Sequence, residues 1–544
     1  MKTVKIWMFV LMLLFTALMS VPFLIPNAGP AILFGFIPLL FMDVLADAKG
    51  IRHFFWWYYG AFLLWNAATT FWVCNATVGG GIFASAANAL QMALIFAVYR
   101  LSKKRFGPVL SHIFLAVMWI AWERFYFSAE ISWPWLTLGN AFAGTTKLIQ
   151  WYEYTGSLGG SLWVWACNLC LFYLLLFVLG GHFKDLRWFG KICLPAACII
   201  LLAAPAALSL RIYDNYNEDK SKSVDVLIAQ PNFDPYQKFQ SMSQEQQDSV
   251  LLDLFAKELD APGRRSMPQL LLAPETFTSG IMLNSVRYSD SFNRFADFVG
   301  NYPGMNLIFG ASAYEYIFSE DPPTYTARKV GDGMWAESHN VAFSLDSDNR
   351  YDFYLKSRLV VGTEKMPYPR IFAPIDDKLG GVMGRCVGQD EPHLLYVNYY
   401  DSEGRLTDYV GLGCAICYES VYGEYCTGYV QKGARFLTVI TNDAWWGDTP
   451  GYKQHLNYSR LRAIETRRDI ARCGNTGISA FIDQKGDILS ASHWWKRETL
   501  EGKVYLNDKM TFFVRHGDIV GRVCTYAFLL GLLALLVLLA IRRK

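Results

Sequence analysis

The long apolar runs of this chain gather at its two ends, and that uneven placement limits what it can fold into more than any other feature. They fall before residue 211 and after residue 522, while the stretch between, roughly 222–515, has ordinary globular composition. A helix that crosses a membrane needs about 20 mostly apolar residues to span the ~30 Å hydrocarbon core. Candidates are Ile6–Ile25, Ala31–Leu45, Phe54–Cys74, Ile82–Tyr99, Val109–Phe125, Ser161–Gly180, Ile192–Leu210 and Val523–Ile541. The first two are interrupted by Pro22, Pro26, Pro30 and Pro38, which also allows a re-entrant hairpin. The expected plan is a polytopic α-helical membrane bundle of about eight spans, seven before the middle and one after. Its parts are a bundle over 1–212, a water-soluble domain over 222–515, and a last helix with a basic tail over 522–544.

Loop charge orients such a bundle, because cytoplasmic loops carry an excess of Lys and Arg. One alternating set of loops holds 14 of them: Lys2, Lys5, Lys49, Arg52, Arg100, Lys103, Lys104, Arg105, Lys184, Arg187, Lys191, Arg542, Arg543 and Lys544. The opposite set holds Arg124 and Lys147. Both termini are therefore expected in the cytoplasm and the middle domain outside it. The formal net charge is only +3, so nothing calls for nucleic acid. The stretch 128–160 carries Trp133, Trp135, Trp151, Tyr152 and Tyr154, residues suited to a membrane interface.

The middle alternates short apolar runs with helical patterns, as α/β domains do. Strands are expected at Val224–Gln230, Gln269–Ala273, Asn306–Gly310, Val410–Ile416, Arg435–Thr441 and Gly477–Ile482, with a hairpin joining Asn340–Leu345 to Tyr351–Leu355. Helices are expected at Gln244–Leu259, near Val421–Lys432, and over Tyr452–Ala471. The segment Ala373–Glu403 has little periodicity and reads as a long loop. Of the cysteines, Cys386, Cys414, Cys417, Cys426 and Cys473 lie in this part. The odd count leaves at least one unpaired if no bridge reaches the membrane part.

Three polar residues follow predicted strands: Glu275 after QLLLAP, Lys356 after YDFYL, and Cys417 after VGLGCAI. Singly, each has an ordinary reading as turn, solvated or buried residue. Together they hold what acyl transfer needs. A thiolate attacks, and a neighbouring cation lowers the thiol pKa. A carboxylate relays the proton. A backbone N–H and an ammonium can hold the tetrahedral oxyanion. Cys414 and Cys417 also form a CxxC, the spacing of redox and zinc sites, but no second pair or His cluster follows. Arg460, Arg462, Arg467 and Arg468 with Glu465 read as structural ion pairing rather than a phosphate site.

The blocks LLAPET at Leu271–Thr276, YLKSRLV around Lys356 and GCAICYES at Gly413–Ser420 resemble the signatures of the nitrilase (carbon–nitrogen hydrolase) superfamily. Thr441–Ile488 and Trp133–Ser161 are similar to the apolipoprotein N-acyltransferases, whose resemblance covers nearly the whole chain. That resemblance implies an extracytoplasmic αββα sandwich in a bacterial inner membrane, its catalytic side periplasmic. It implies Cys417 as nucleophile, Glu275 as general base, Lys356 as oxyanion partner and Glu364 as supporting carboxylate. Tyr418 would offer its backbone N–H, Glu419 would orient the site, and Trp445 and Trp446 would sit on a lid loop. Phe239 stands where the family usually carries Trp, and VVGTEKMPYP replaces its usual PFGEYVP. The implied reaction is ping-pong. An acyl chain passes from a phospholipid, typically phosphatidylethanolamine, through a thioester to the α-amine of a diacylglyceryl-cysteine on a lipoprotein. It needs no metal or soluble cofactor, and the enzyme would be a monomer among membrane lipids. The rival readings are a membrane-anchored amidase and a non-catalytic transporter or scaffold.

Overall fold

The computed structural model describes residues 2–235, 242–264, 266–378, 381, 383–400 and 405–541. Phe239 and the basic tail Arg542, Arg543 and Lys544 lie outside the described residues. The chain divides into two compact units. One holds Met1–Tyr216, Asp448–Asn457 and His516–Lys544; the other holds Asn217–Gly447 and Tyr458–Arg515.

In the first unit each of the eight expected segments carries a helix. Six are long and apolar enough to cross a membrane: Lys2–Leu24, Gly29–Ala48, Val78–Phe106, Tyr152–Leu179, Trp188–Asn215 and Ile519–Ile541. The other two are Phe55–Thr70, with 16 residues, and Pro108–Tyr126, which includes Glu123 and Arg124. The first segment is one continuous helix, with Pro22 in its last turn. The second opens as a 3-10 turn over Gly29–Phe34 before the α-helix Ile37–Ala48 begins. Asn168 repairs that break: its Oδ1 accepts Phe36 N–H at 2.7 Å and its Nδ2 donates to Ile32 O at 2.9 Å. Backbone groups freed inside an apolar bundle need such partners.

Of the aromatics in 128–160, Trp135 and Tyr152 are buried, Trp133 and Trp151 half-buried and Tyr154 exposed. Trp133 and Trp135 stack with ring centroids 5.2 Å apart, and Trp135 Nε1 donates to Gln454 Oε1 at 2.7 Å. Gln454 in turn donates to Phe23 O and Thr69 O. Residues Asp448–Asn457, distant in sequence from the helices, are thus part of the bundle's own packing.

The second unit is a two-sheet sandwich. The first sheet takes β1 (Ser223–Gln230), β2 (Leu270–Leu272), β3 (Thr278–Met282), β4 (Asn306–Phe318), β5 (Arg328–Gly331), β6 (Met334–Asp346) and β7 (Tyr351–Leu355). The second takes β8 (Leu394–Tyr400), β9 (Leu406–Ile416), β10 (Phe436–Thr441), β11 (Ile470–Gly474), β12 (Ala480–Ile482) and β13 (Ile488–Ala491), and β14 (Glu498–Tyr505) returns to pair with β1. The orders are β14-β1-β2-β4-β6-β5, with β3 beside β4 and β7 beside β6, and β13-β12-β11-β10-β9-β8.

Alternation along the strands builds the layers, since successive side chains point to opposite faces. Leu227 and Ala229 of β1, Leu307 and Phe309 of β4, and Val341, Phe343 and Leu345 of β6 share a buried cluster with Leu251 and Phe255 of the helix Gln244–Leu259 and Phe292, Phe295 and Val299 of the helix Asp290–Gly300. These helices cover one sheet, and the helix Gly423–Gln431 covers β9 of the other. The result is the expected helix–sheet–sheet–helix sandwich.

Two sequence expectations are corrected. The helix expected to reach Ala471 stops at Thr466, where Arg467 turns to φ +49°, and Ile470–Gly474 becomes a buried strand. The stretch expected as a loop over 373–403 supplies the rest of the helix Pro369–Lys378 and the edge strand β8, whose LLYVNYY pairs antiparallel with β9. Its tyrosines and Val suit a half-buried pleated surface even without a clean alternation.

Candidate active site

The ends of β2, β7 and β9 place the site. β2 runs into Pro274–Glu275–Thr276, and Thr276 takes φ +45°, a conformation costly for a β-branched residue. The turn packs tightly against β4, where a Cβ on Gly310 would lie 2.6 Å from Glu275 Cα. Only glycine lets the Glu275 backbone approach that closely. β9 ends at Ile416, and Cys417 opens a 3-10 turn with φ +51°. A non-glycine residue held in that region stores strain of order 1–3 kcal/mol, and such positions gather at functional sites.

Lys356 follows β7 and is buried. Its Nζ donates to Glu275 Oε1 and to Glu364 Oε1, each at 2.9 Å. The same two oxygens accept Asn340 Nδ2, at 2.8 and 2.7 Å. Glu275 Oε2 accepts Asn442 N–H at 3.2 Å, and Glu364 Oε2 accepts Val360 N–H at 2.8 Å. Both carboxylates are thus fixed at both oxygens. Burial works against the charge on Lys356, but Glu275 and Glu364 outweigh it and hold the ammonium well above the usual lysine range.

Cys417 is the electrostatic neighbour of this cluster. Burial first, then the Glu275 carboxylate, hold its thiol well above the ordinary thiol range, and the opposing pull of Lys356 is the smaller effect. The cation beside the half-buried thiol therefore does not leave a resting thiolate, because the surroundings that bring Lys356 also desolvate the sulfur and contain Glu275. The arrangement favours a neutral thiol that loses its proton as it attacks. All eleven cysteines are free thiols, including Cys414 of the CxxC, which is buried on β9.

Glu419 is wholly buried two residues beyond Cys417. Its Oε2 accepts Ile416 N–H at 2.8 Å, and its Oε1 accepts Ser357 N–H at 2.7 Å and Arg358 N–H at 3.2 Å. Tyr354 Oη also donates to it. Burial pushes its carboxyl up, against these hydrogen bonds. The side chain of Tyr418 is buried edge-on against Tyr422, with ring centroids 5.2 Å apart, so its backbone N–H follows directly on the Cys417 turn. Trp445 and Trp446 end a 3-10 turn over Asp443–Trp446; Trp445 is exposed and Trp446 half-buried.

Sequence reasoning missed three contributors. Asn340 bridges the two glutamates, Asn442 holds Glu275, and Asp443 is locked by Arg472 Nη2 at 2.6 Å and Thr441 Oγ1 at 2.8 Å. An Asp443 carboxylate oxygen lies within 4.8 Å of Cys417 Sγ. The motif TND at 441–443 was in view; only the register of β10 against β9 and β11 aims it at the site. Of the arginine cluster, Arg462, Arg467 and Arg468 are buried and Arg460 is half-buried. Arg462 Nη2 meets Glu465 Oε1 at 2.9 Å, and Arg468 donates to the carbonyls of Ala434 and Lys509.

Residues 331–509 match the family described as carbon–nitrogen hydrolase, and residues 15–170 match the apolipoprotein N-acyltransferase N-terminal domain. The chain is 29% identical to the apolipoprotein N-acyltransferase of Chlorobaculum tepidum over 89% of its length and 86% of that protein's. It is 25% identical to those of Geobacter metallireducens, over 84% of this chain and 79% of the relative, and Thermotoga maritima, over 75% and 68%. A bundle of apolar helices, a carbon–nitrogen hydrolase sandwich and relatives matched over most of their length together identify this chain as a membrane acyltransferase of the apolipoprotein N-acyltransferase family.

Proposed function

We propose that the protein moves a fatty acyl chain from a phospholipid, phosphatidylethanolamine foremost, to the α-amine of a diacylated lipoprotein N-terminus through a thioester on Cys417. The observation that carries this reading is the Glu275–Lys356–Glu364 cluster around a buried Lys356 beside Cys417, in a chain with six helices among the described residues apolar enough to cross a membrane. Glu275 takes the thiol proton as sulfur attacks the ester carbonyl. The oxyanion forms beside the Lys356 ammonium and the Tyr418 N–H, where fixed donors in a dry site act most strongly. Collapse expels the glycerol oxygen, which takes the proton from Glu275 and leaves as lysophospholipid. In the second half-reaction the acceptor amine attacks the thioester, gives its proton to Glu275, and the restored thiolate is reprotonated. Glu364 holds Lys356 in place, and Glu419 orients the turn. Trp445 and Trp446 form a lipid-facing lid.

The basic loops support cytoplasmic termini and a periplasmic catalytic domain over 222–515, in a bundle of eight crossings that works as a monomer. The purified protein is incubated with phosphatidylethanolamine alone, and its intact mass is taken beside Cys417→Ala. A fatty-acyl increment on the wild type, absent from the variant and discharged by a diacylated lipopeptide, is the expected result. A free thiol that gains no increment overturns the phospholipid-donor mechanism in favour of an amide-hydrolysing one.

A further inference from the structure

Beyond the catalytic cluster, three potential metal ligands meet on the β4–β6 ribbon. Glu315 and Glu337 are Cα partners across the two strands, and His339 lies two residues along β6 on the same face. One donor atom from each lies within 4.8 Å of the others, and His339 Nε2 is 4.0 Å from Glu315 Oε2. Like charges directly opposite on a ribbon repel, and the side chains of such pairs stand close. Among the described residues neither carboxylate has a Lys or Arg ion pair, and Glu337 is only 6% exposed.

His339 supplies a second, independent observation. Its side chain is 2% exposed, and its Nε2 is buried without a hydrogen-bond partner among the described residues. Its Nδ1 lies 2.8 Å from Val387 O. A carbonyl can only accept, so Nδ1 is the donor there; in the neutral imidazole Nε2 is then the acceptor, and it lies 4.0 Å from Glu315 Oε2. Leaving a buried acceptor unpaired is costly. The outer contacts are also those of a ligand set: Thr324 Oγ1 donates to Glu337 Oε1 at 2.6 Å and Asn284 Nδ2 to Glu315 Oε1 at 3.5 Å. Metal-binding imidazoles and carboxylates are oriented by hydrogen bonds of this kind.

We propose that Glu315, Glu337 and His339 form a binding site for a divalent transition metal of the zinc type, fixing the end of the ribbon. One imidazole and two carboxylates suit Zn²⁺, whose bonds of about 2.0–2.2 Å place tetrahedral ligands about 3.3 Å apart. The present His339 Nε2–Glu315 Oε2 separation of 4.0 Å is somewhat wider than that and would close on binding. Glu315 is 42% exposed, which gives the ion a path in and leaves a position for water. The adjacent residue, Asn340, bonds Glu275 and Glu364, so a metal at His339 also steadies the strand that holds them.

The test uses full-length protein in detergent, in a Cys417→Ala background so that the catalytic thiol cannot take the metal. Chelator-treated protein is dialysed against Zn²⁺, and bound metal and thermal midpoint are measured. One Zn²⁺ per chain with a raised midpoint is expected. His339→Gln should abolish it, as should Glu315→Gln, a half-exposed position whose replacement leaves the core intact. Thr324→Val, which removes an orienting hydrogen bond, should weaken affinity by about 10–100-fold. No retained Zn²⁺, or equal retention in Glu315→Gln and His339→Gln, overturns the proposal.

Discussion

Glu419 accepts the backbone N–H of Ser357 at 2.7 Å, and through that one contact a residue beside the nucleophile fixes the residue beside Lys356. Its other oxygen holds Ile416 N–H, immediately before Cys417. One buried carboxylate therefore ties the ends of β7 and β9, which belong to different sheets. Glu419→Ala would remove an acceptor from three N–H groups and orphan the buried one of Ile416, a loss of about 1–3 kcal/mol for that group alone. A fall of several degrees in thermal midpoint and a collapse in acyl-enzyme formation are expected. An unchanged midpoint would mean the two strand ends are held independently.

The Glu275 charge raises the Cys417 pKa while serving as the proposed base, so one substitution should separate reactivity from catalysis. In Glu275→Gln the thiol should titrate lower and alkylate faster with iodoacetamide at fixed pH. Acyl-enzyme formation should nonetheless drop by about 10²–10⁴-fold, the usual worth of a general base. Slower alkylation in the variant would show that Glu275 does not hold the thiol neutral.

Asn340 donates to the same two oxygens as Lys356. Hydrogen bonds to charged groups are worth about 1.5–3 kcal/mol, so Asn340→Ala should slow acyl-enzyme formation by about 10–100-fold. Asn340→Asp should be worse, because it sets a third carboxylate against one ammonium. The rate of mass increase on adding phospholipid reads both. Equal rates in Asn340→Ala and wild type would place Asn340 outside the machinery.

Asp469 provides a pH test independent of the active site. Burial pushes its carboxyl from 3.8 up to about 7, although Tyr505 N–H donates to it at 2.7 Å. The folded state thus binds this proton more tightly than the unfolded chain. The group's contribution is most favourable below about pH 4 and is lost as pH rises through about 7, at up to ~1.4 kcal/mol per pH unit. Asp469→Asn should match the wild type at pH 4 and be the more stable of the two at pH 8. Parallel midpoint–pH curves for the two proteins would refute the shift.

The helical segments were legible because membrane crossing imposes length and apolarity on contiguous residues, which a sequence displays directly. The central strands of the sandwich were legible for a similar reason: β1, β2 and β10 are buried apolar runs. β8 was not, since an edge strand with one exposed and two half-buried tyrosines carries no clean period. The helix end at Thr466 was hidden because RRDIARC continues a helical pattern until Arg467 adopts a left-handed turn.

Glu275, Lys356 and Cys417 could be singled out from sequence because each sits just after an apolar run, inside a block of recognisable composition. Asn340, Asn442 and Asp443 could not. An Asn in a strand or an Asp after one is an ordinary polar residue until strand register chooses its neighbours. Lys356 and Glu275 are 81 residues apart, and Asn442 and Glu275 are 167 apart. The same holds for Glu315, Glu337 and His339, which meet only because β4 and β6 pair in one register and not in one shifted by a residue. Sequence by itself determined which parts of this chain leave water and which three residues stand at strand ends. Tertiary structure alone decided the charge state of Cys417 and the partners of every carboxylate, because burial and hydrogen bonding depend on groups brought together from distant positions.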